Sequence, residues 1–114
     1  MHYTAAHHYH PNRARFQDFD PFWEFVSGPL HAGTWGPAPL PQTFGPAVMF
    51  EKGCGQGQGD NFAPCLGLQF FGYVAIDSGT EVMTVTLKDV GNRDLWSTEI
   101  ERARRRPVKE ARRV

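Results

Sequence analysis

Four histidines lie within the first ten residues of the chain, at His2, His7, His8 and His10. Imidazole is the commonest metal ligand in proteins, so a group of this density suggests a metal site. The spacing matches neither the H-E-x-x-H motif nor a paired zinc motif. We therefore interpret the group as a place of weak, adventitious metal binding rather than as a functional centre.

Glu24 is an acidic residue whose surroundings could change its chemistry. It lies between Trp23 and Phe25 in a short apolar run. A carboxylate buried in such surroundings has a raised pKa and could serve as an acid catalyst. The other interpretation, which the sequence favours, is a structural acid on the exposed face of a strand.

The elements that must position these residues are clearest in the second half of the chain. Residues 68–76 are apolar and aromatic, residues 77–80 read Asp-Ser-Gly-Thr, and residues 82–90 alternate between apolar and polar types. Gly91-Asn92 is a favourable hairpin pair, and residues 95–100 follow it. This pattern predicts a three-stranded antiparallel meander with one buried face, whose aromatic residues form core rather than a platform for bases.

The first half of the chain gives weaker signals. Residues 2–6 could end a strand, and residues 22–26 are either a buried strand or one helical turn. Residues 28–66 contain six prolines and a glycine-rich stretch, which predicts a long irregular segment. The expected fold class is therefore mostly β, or α+β, with a loop-rich N-terminal half followed by the meander.

Charge divides the chain into a body and a tail. The 114 residues suffice for one small domain, which we place at residues 1–100, with a basic, disordered tail at residues 101–114. Seven Arg and Lys residues lie between positions 102 and 114, beside the single acid Glu110. Such a tail could contact nucleic acid only non-specifically, so a small nucleic-acid-binding protein is a minor alternative.

The cysteines and the apolar runs exclude other classes. Two cysteines, Cys54 and Cys65, are too few for a disulfide framework, and they do not form a CxxC motif. They either form a single bridge or remain two free thiols, and we favour the free thiols. No apolar run has the roughly 18 residues of a transmembrane helix, so we expect no membrane contact. The N-terminal residues lack the pattern of a signal peptide, so the chain as written is expected in the cytoplasm.

Several separate runs of the sequence occur together in one known family. They are residues 16–30 (FQDFDPFWEFVSGPL), 43–46 (TFGP), 67–72 (GLQFFG), 82–89 (VMTVTLKD) and 95–97 (LWS). In this order and at this spacing they resemble the late part of the PhoD-like metallophosphatases, the alkaline phosphatase D family of the calcineurin-like phosphoesterase superfamily. The resemblance covers residues 2–100.

The resemblance implies a fold, an activity and a metal ligand. The chain would be the closing part of a metallophosphatase β-sandwich, and the intact family hydrolyses phosphomonoesters or phosphodiesters with iron and calcium ions. His2 matches the histidine of the family's Asp-Val-His motif, with Met1 at the position of its valine. Because this is the sole candidate ligand in the chain, we expect a fragment that is inactive alone and holds none of these metals.

The resemblance also suggests a role for one loop residue and two kinds of partner. His31 lies in a segment that is close to the catalytic body in the intact family, where it either contacts the edge of the substrate site or only fills a loop. The chain could complement a separately encoded phosphatase body by adding strands to it, or associate with itself through strand edges. Family members are often exported by the twin-arginine route.

Overall fold

Six strands make up most of the computed structural model, which describes residues 3–30, 37, 39–53 and 69–102. The strands are β1 (Thr4–Tyr9), β2 (Phe22–Ser27), β3 (Pro46–Lys52), β4 (Phe70–Ile76), β5 (Met83–Asp89) and β6 (Asp94–Ile100). One 3-10 turn, Pro11–Arg13, follows β1, and the described residues contain no α-helix. The prediction of a mostly β chain is confirmed.

The N-terminal sheet is more regular than the sequence predicts. It is antiparallel with the strand order β2-β1-β3, so β1 is the central strand and not merely the end of one. Residues 22–27 form a strand rather than a helical turn. The prediction that residues 28–66 are irregular throughout is wrong, because β3 lies within them.

The edge position of β3 explains why its pattern is hard to recognise. Pro46 is its first residue, where an edge strand tolerates the missing N–H donor. Val48 and Met49 are about half exposed, and the pairing with β1 shifts register between Ala6 and His7. A strand with exposed apolar residues and a bulge does not show the alternation that marks a half-buried strand.

The C-terminal sheet is the predicted meander in strand order and pairing, β4-β5-β6 and antiparallel throughout. The prediction that its aromatic residues form core holds for Phe70, which is buried, and is wrong for Tyr73, which is 58% exposed. Its first turn is held by Asp77, whose Oδ1 accepts hydrogen bonds from the backbone N–H groups of Gly79 and Thr80 at 2.9 and 2.8 Å. Its second turn places Asn92 at φ 65°, a left-handed conformation that asparagine tolerates.

Trp96 of β6 joins the two sheets. Its ring lies 5.8 Å from that of Trp23, 6.3 Å from Phe25 and 6.2 Å from Phe50, centroid to centroid. These three residues share one face of the N-terminal sheet. A backbone bond of 2.7 Å from Phe70 N to Pro29 O also links the sheets. The sheets are therefore joined by aromatic packing on one face of the N-terminal sheet and by contacts between β2 and β4. The other face of the N-terminal sheet carries the hydrophobic core residues Tyr3, Ala5 and Val26.

Several predictions concern residues outside the described part of the chain. These include the cysteine pairing and nearly all of the basic tail. No helix in the described part has the length and apolar composition needed to cross a membrane.

Candidate functional site

Three polar side chains meet on the face of the N-terminal sheet that is turned away from Trp96. β1 pairs with β2 so that His7 lies opposite Glu24 and Tyr9 lies opposite Phe22. Residues two apart on a strand point to the same face, so His7 and Tyr9 both reach the Glu24 carboxylate. We call His7, Tyr9 and Glu24 the carboxylate cluster.

One oxygen of Glu24 accepts both hydrogen bonds of the carboxylate cluster. His7 Nδ1 lies 2.8 Å from Glu24 Oε1, and the Tyr9 hydroxyl donates to the same oxygen at 2.9 Å. An ionised carboxylate can only accept, so His7 carries a proton on Nδ1. Tyr9 is further held by stacking on Phe22, with the ring centroids 4.6 Å apart.

Burial differs sharply within the carboxylate cluster. His7 is 1% exposed, whereas the Glu24 side chain is 44% exposed. The cluster therefore places a buried imidazole donor beneath a carboxylate that solvent can reach. A carboxylate that orients an imidazole in this way is a common supporting arrangement at metal and catalytic sites, and it is also a common structural arrangement.

Hydrogen bonding controls the protonation of Glu24. The bond from His7 lowers the pKa of the Glu24 carboxyl; burial opposes this shift, and the bond from Tyr9 adds to it. The interpretation of Glu24 as an acid with a raised pKa is therefore wrong, because a donor stabilises its charged form. Glu24 is ionised at neutral pH and acts as an acceptor. Burial, followed by the bond to Glu24, raises the pKa of Tyr9 to about 12.

A second group of polar side chains lies on the opposite face of β1 and in the turn that follows it. Arg13 Nη2 lies 3.3 Å from His8 Nδ1, and the rings of His8 and His10 are 6.2 Å apart between centroids. His8 also packs against Trp23, with 4.8 Å between the ring centroids. Burial, the charge of Arg13 and the charge of His10 lower the pKa of His8.

The structure separates residues that the sequence places side by side. His7 and His8 point to opposite faces of β1, so the histidine-rich stretch does not converge on one point. His2 and His31 lie outside the described residues. Within the described residues, no three His, Cys, Asp or Glu side chains are grouped closely enough to hold a metal ion.

The carboxylate cluster and the group of His8, His10 and Arg13 do not fit the iron and calcium ions that the family resemblance implies. Such hard cations at one centre require several carboxylates. Glu24 is the sole carboxylate in the carboxylate cluster, and its Oε1 is already bonded to two donors. No catalytic step through a metal is therefore assigned to the described residues.

The sequence marks Glu24 as a candidate but does not identify His7 and Tyr9 as its partners. The one signal for them is that His7 and Tyr9 are two positions apart, so that in a strand both side chains point to the same face. That signal becomes specific only when the pairing of β1 with β2 is known.

The chain matches a known protein family. The family model described as PhoD-like phosphatase matches residues 1–87, which span β1 to β4 and most of β5. No curated protein and no solved structure matches the chain.

Proposed function

The chain belongs to the PhoD-like phosphatase family, and from this premise we propose that it forms the closing sheets of a metal-dependent phosphoric ester hydrolase. The observation that carries the proposal is the family match over residues 1–87, which includes the whole N-terminal sheet, β4 and most of β5 rather than one motif. The substrate class would be phosphomonoesters or phosphodiesters. The two sheets, joined by Trp96, would supply scaffold to the domain.

We propose further that this chain has little or no hydrolytic activity by itself. The two polar groups built on β1 are the carboxylate cluster on one face and the His8, His10 and Arg13 side chains on the other. Elsewhere in the described residues, no three His, Cys, Asp or Glu side chains are grouped closely enough to hold a metal ion. Neither group supplies the several carboxylates that a phosphoesterase metal centre needs. The ligands would therefore have to come from residues other than the described ones.

A direct assay tests this proposal. Purified protein, supplied with iron and calcium, is incubated with an aryl phosphate monoester and with a diester. We expect rates equal to those of a His2→Ala variant, which loses the one residue that matches the family motif. Metal-dependent turnover well above that of the variant would refute the proposed inactivity.

A second candidate function is a complementing subunit, which the open sheet edges favour. Among the described strands, β2 and β3 lie at the edges of one sheet and β4 and β6 at the edges of the other. An edge strand presents backbone N–H and C=O groups that can pair with a strand of another chain. Co-elution of this chain with a separately produced PhoD-like catalytic body would support strand addition, and elution as two independent species would count against it.

A further inference from the structure

Among the described residues, Arg13 is held by backbone carbonyl groups and not by an acid. Its Nε donates to Gly45 O at 3.2 Å, and its Nη2 donates to His8 O at 2.8 Å. Carbonyl groups orient a guanidinium but do not neutralise its charge. Arg13 is exposed, so the charge remains available to a ligand.

Hydrogen bonds also determine which nitrogen of each neighbouring histidine carries a proton. Arg13 Nη2 can only donate, so His8 Nδ1 accepts from it. The backbone N–H of Asn12 donates to His10 Nδ1 at 3.0 Å. In each neutral ring the proton must therefore lie on Nε2. Both imidazoles present an N–H donor at Nε2 rather than a lone pair.

This arrangement favours an anion over a metal ion. A zinc or similar ion would need an imidazole lone pair, and the lone pairs of His8 and His10 are already bonded at Nδ1. The residues opposite His8 on the adjacent strands are Trp23 and Ala47, neither of which is charged. Glu24, the acid of β2 in this region, lies on the other face of the sheet.

We propose that Arg13, His8 and His10 form a binding site for an oxyanion of the phosphate class. We call these three residues the oxyanion site. The guanidinium supplies charge and directed N–H groups, and the two Nε2–H groups supply further donors at the end of the central strand β1. The inference goes beyond the proposed function, because it concerns binding and requires neither turnover nor a metal ion.

Nuclear magnetic resonance of the imidazole nitrogens in the full chain tests the site, with inorganic phosphate as the probe. The spectrum without phosphate reports the tautomer, and we expect the Nε2–H form for His8 and His10. Phosphate titrated at constant ionic strength against chloride should give saturable shifts of both rings. It should also raise the pKa of His8, because a bound anion stabilises the imidazolium.

Matched variants separate the site from general charge. Arg13→Gln should weaken phosphate binding by about tenfold or more, whereas Arg15→Gln, which removes an exposed charge from the same segment, should leave it within about twofold. His10→Asn retains an acceptor for the Asn12 N–H and removes the Nε2–H donor, so it keeps the turn and should still weaken binding.

Three results would overturn the proposal. One is a response to phosphate no greater than the response to chloride. Another is equal binding by the His10→Asn variant and the unmodified chain. The third is saturable binding of Zn²⁺ by these rings together with no saturable binding of phosphate.

Discussion

Replacing Glu24 by alanine removes the acceptor that His7 and Tyr9 share. His7 is 1% exposed, so its Nδ1 donor would be left without a partner in a place that water reaches poorly. An unsatisfied buried donor costs about 1–3 kcal/mol. Tyr9 is only partly buried, so its hydroxyl can bond to water instead. The Glu24 side chain is 44% exposed, so the loss of its charge contributes little to the loss of stability. We expect a loss of roughly 2 kcal/mol in the free energy of unfolding.

Urea unfolding at neutral pH measures this loss, with Glu24→Gln and Glu51→Gln as comparisons. Glutamine retains an acceptor but not the charge, so Glu24→Gln should cost roughly half as much as alanine. Glu51 is exposed on β3 of the same sheet, and its replacement should change stability by less than about 0.5 kcal/mol. A loss in the alanine variant no larger than that of Glu51→Gln would show that the buried His7 donor does not depend on Glu24.

The pH dependence of the same comparison gives an independent check. The folded state lowers the pKa of Glu24 from its ordinary value of 4.5. The contribution of Glu24 is therefore fully present above pH 4.5 and is lost as the pH falls through the folded-state pKa. The stability difference between the unmodified chain and Glu24→Gln should shrink accordingly in acid. A difference that stays constant into acid would show that the carboxylate charge plays no part.

Three further predictions follow from other parts of the fold. Gly45 has φ 58°, and a Cβ there would lie 2.5 Å from the Arg13 carbonyl carbon, so Gly45→Ala should cost roughly 2 kcal/mol or more in urea unfolding. Gly91→Ala, whose added Cβ would meet only the Asp89 side chain, should lower the free energy of unfolding clearly less. Equal losses in the two variants would show that the conformation and crowding at Gly45 are not what makes its replacement costly. Trp96→Ala removes a ring that joins the sheets and should lower the free energy of unfolding by about 3 kcal/mol. Val74→Ala, at a half-exposed site, should leave it nearly unchanged. A small effect of Trp96→Ala would show that the sheets are joined by other contacts. The fold raises the pKa of Tyr9 from 10.0 to about 12, so the stability that this tyrosine contributes is lost as the pH rises from 10 to 12. Tyr9→Phe should remove this decrease when the free energy of unfolding is measured against pH.

The sequence predicts local features of this fold better than long-range ones. The meander is predictable because its two turns carry their own chemistry, at Asp77 and at Asn92, and because β5 alternates regularly. β3 is not predictable in the same way, since its apolar residues are exposed at an edge and its pairing contains a register shift. The order β2-β1-β3 depends on pairing between segments far apart in sequence, which no local pattern reports.

The same limit applies to the candidate site. Glu24 is recognisable as an acid among aromatic residues, but the direction of its pKa shift depends on a donor 17 positions away. The apolar neighbours of Glu24, which would raise its pKa, are visible in the sequence. The imidazole of His7 on the adjacent strand, which lowers the pKa of Glu24, is not. The tautomers of His8 and His10 likewise depend on a turn that brings Arg13 and Asn12 back to the end of β1.

The metal content of the chain tests the proposal that it supplies the closing sheets of a PhoD-like phosphatase and not its metal centre. Purified protein is equilibrated with iron and calcium, dialysed, and analysed for bound metal per chain. We expect less than one tightly bound ion per chain, with no change in the His2→Ala variant. Two or more ions per chain, retained through dialysis and lost on replacing His2, would contradict it.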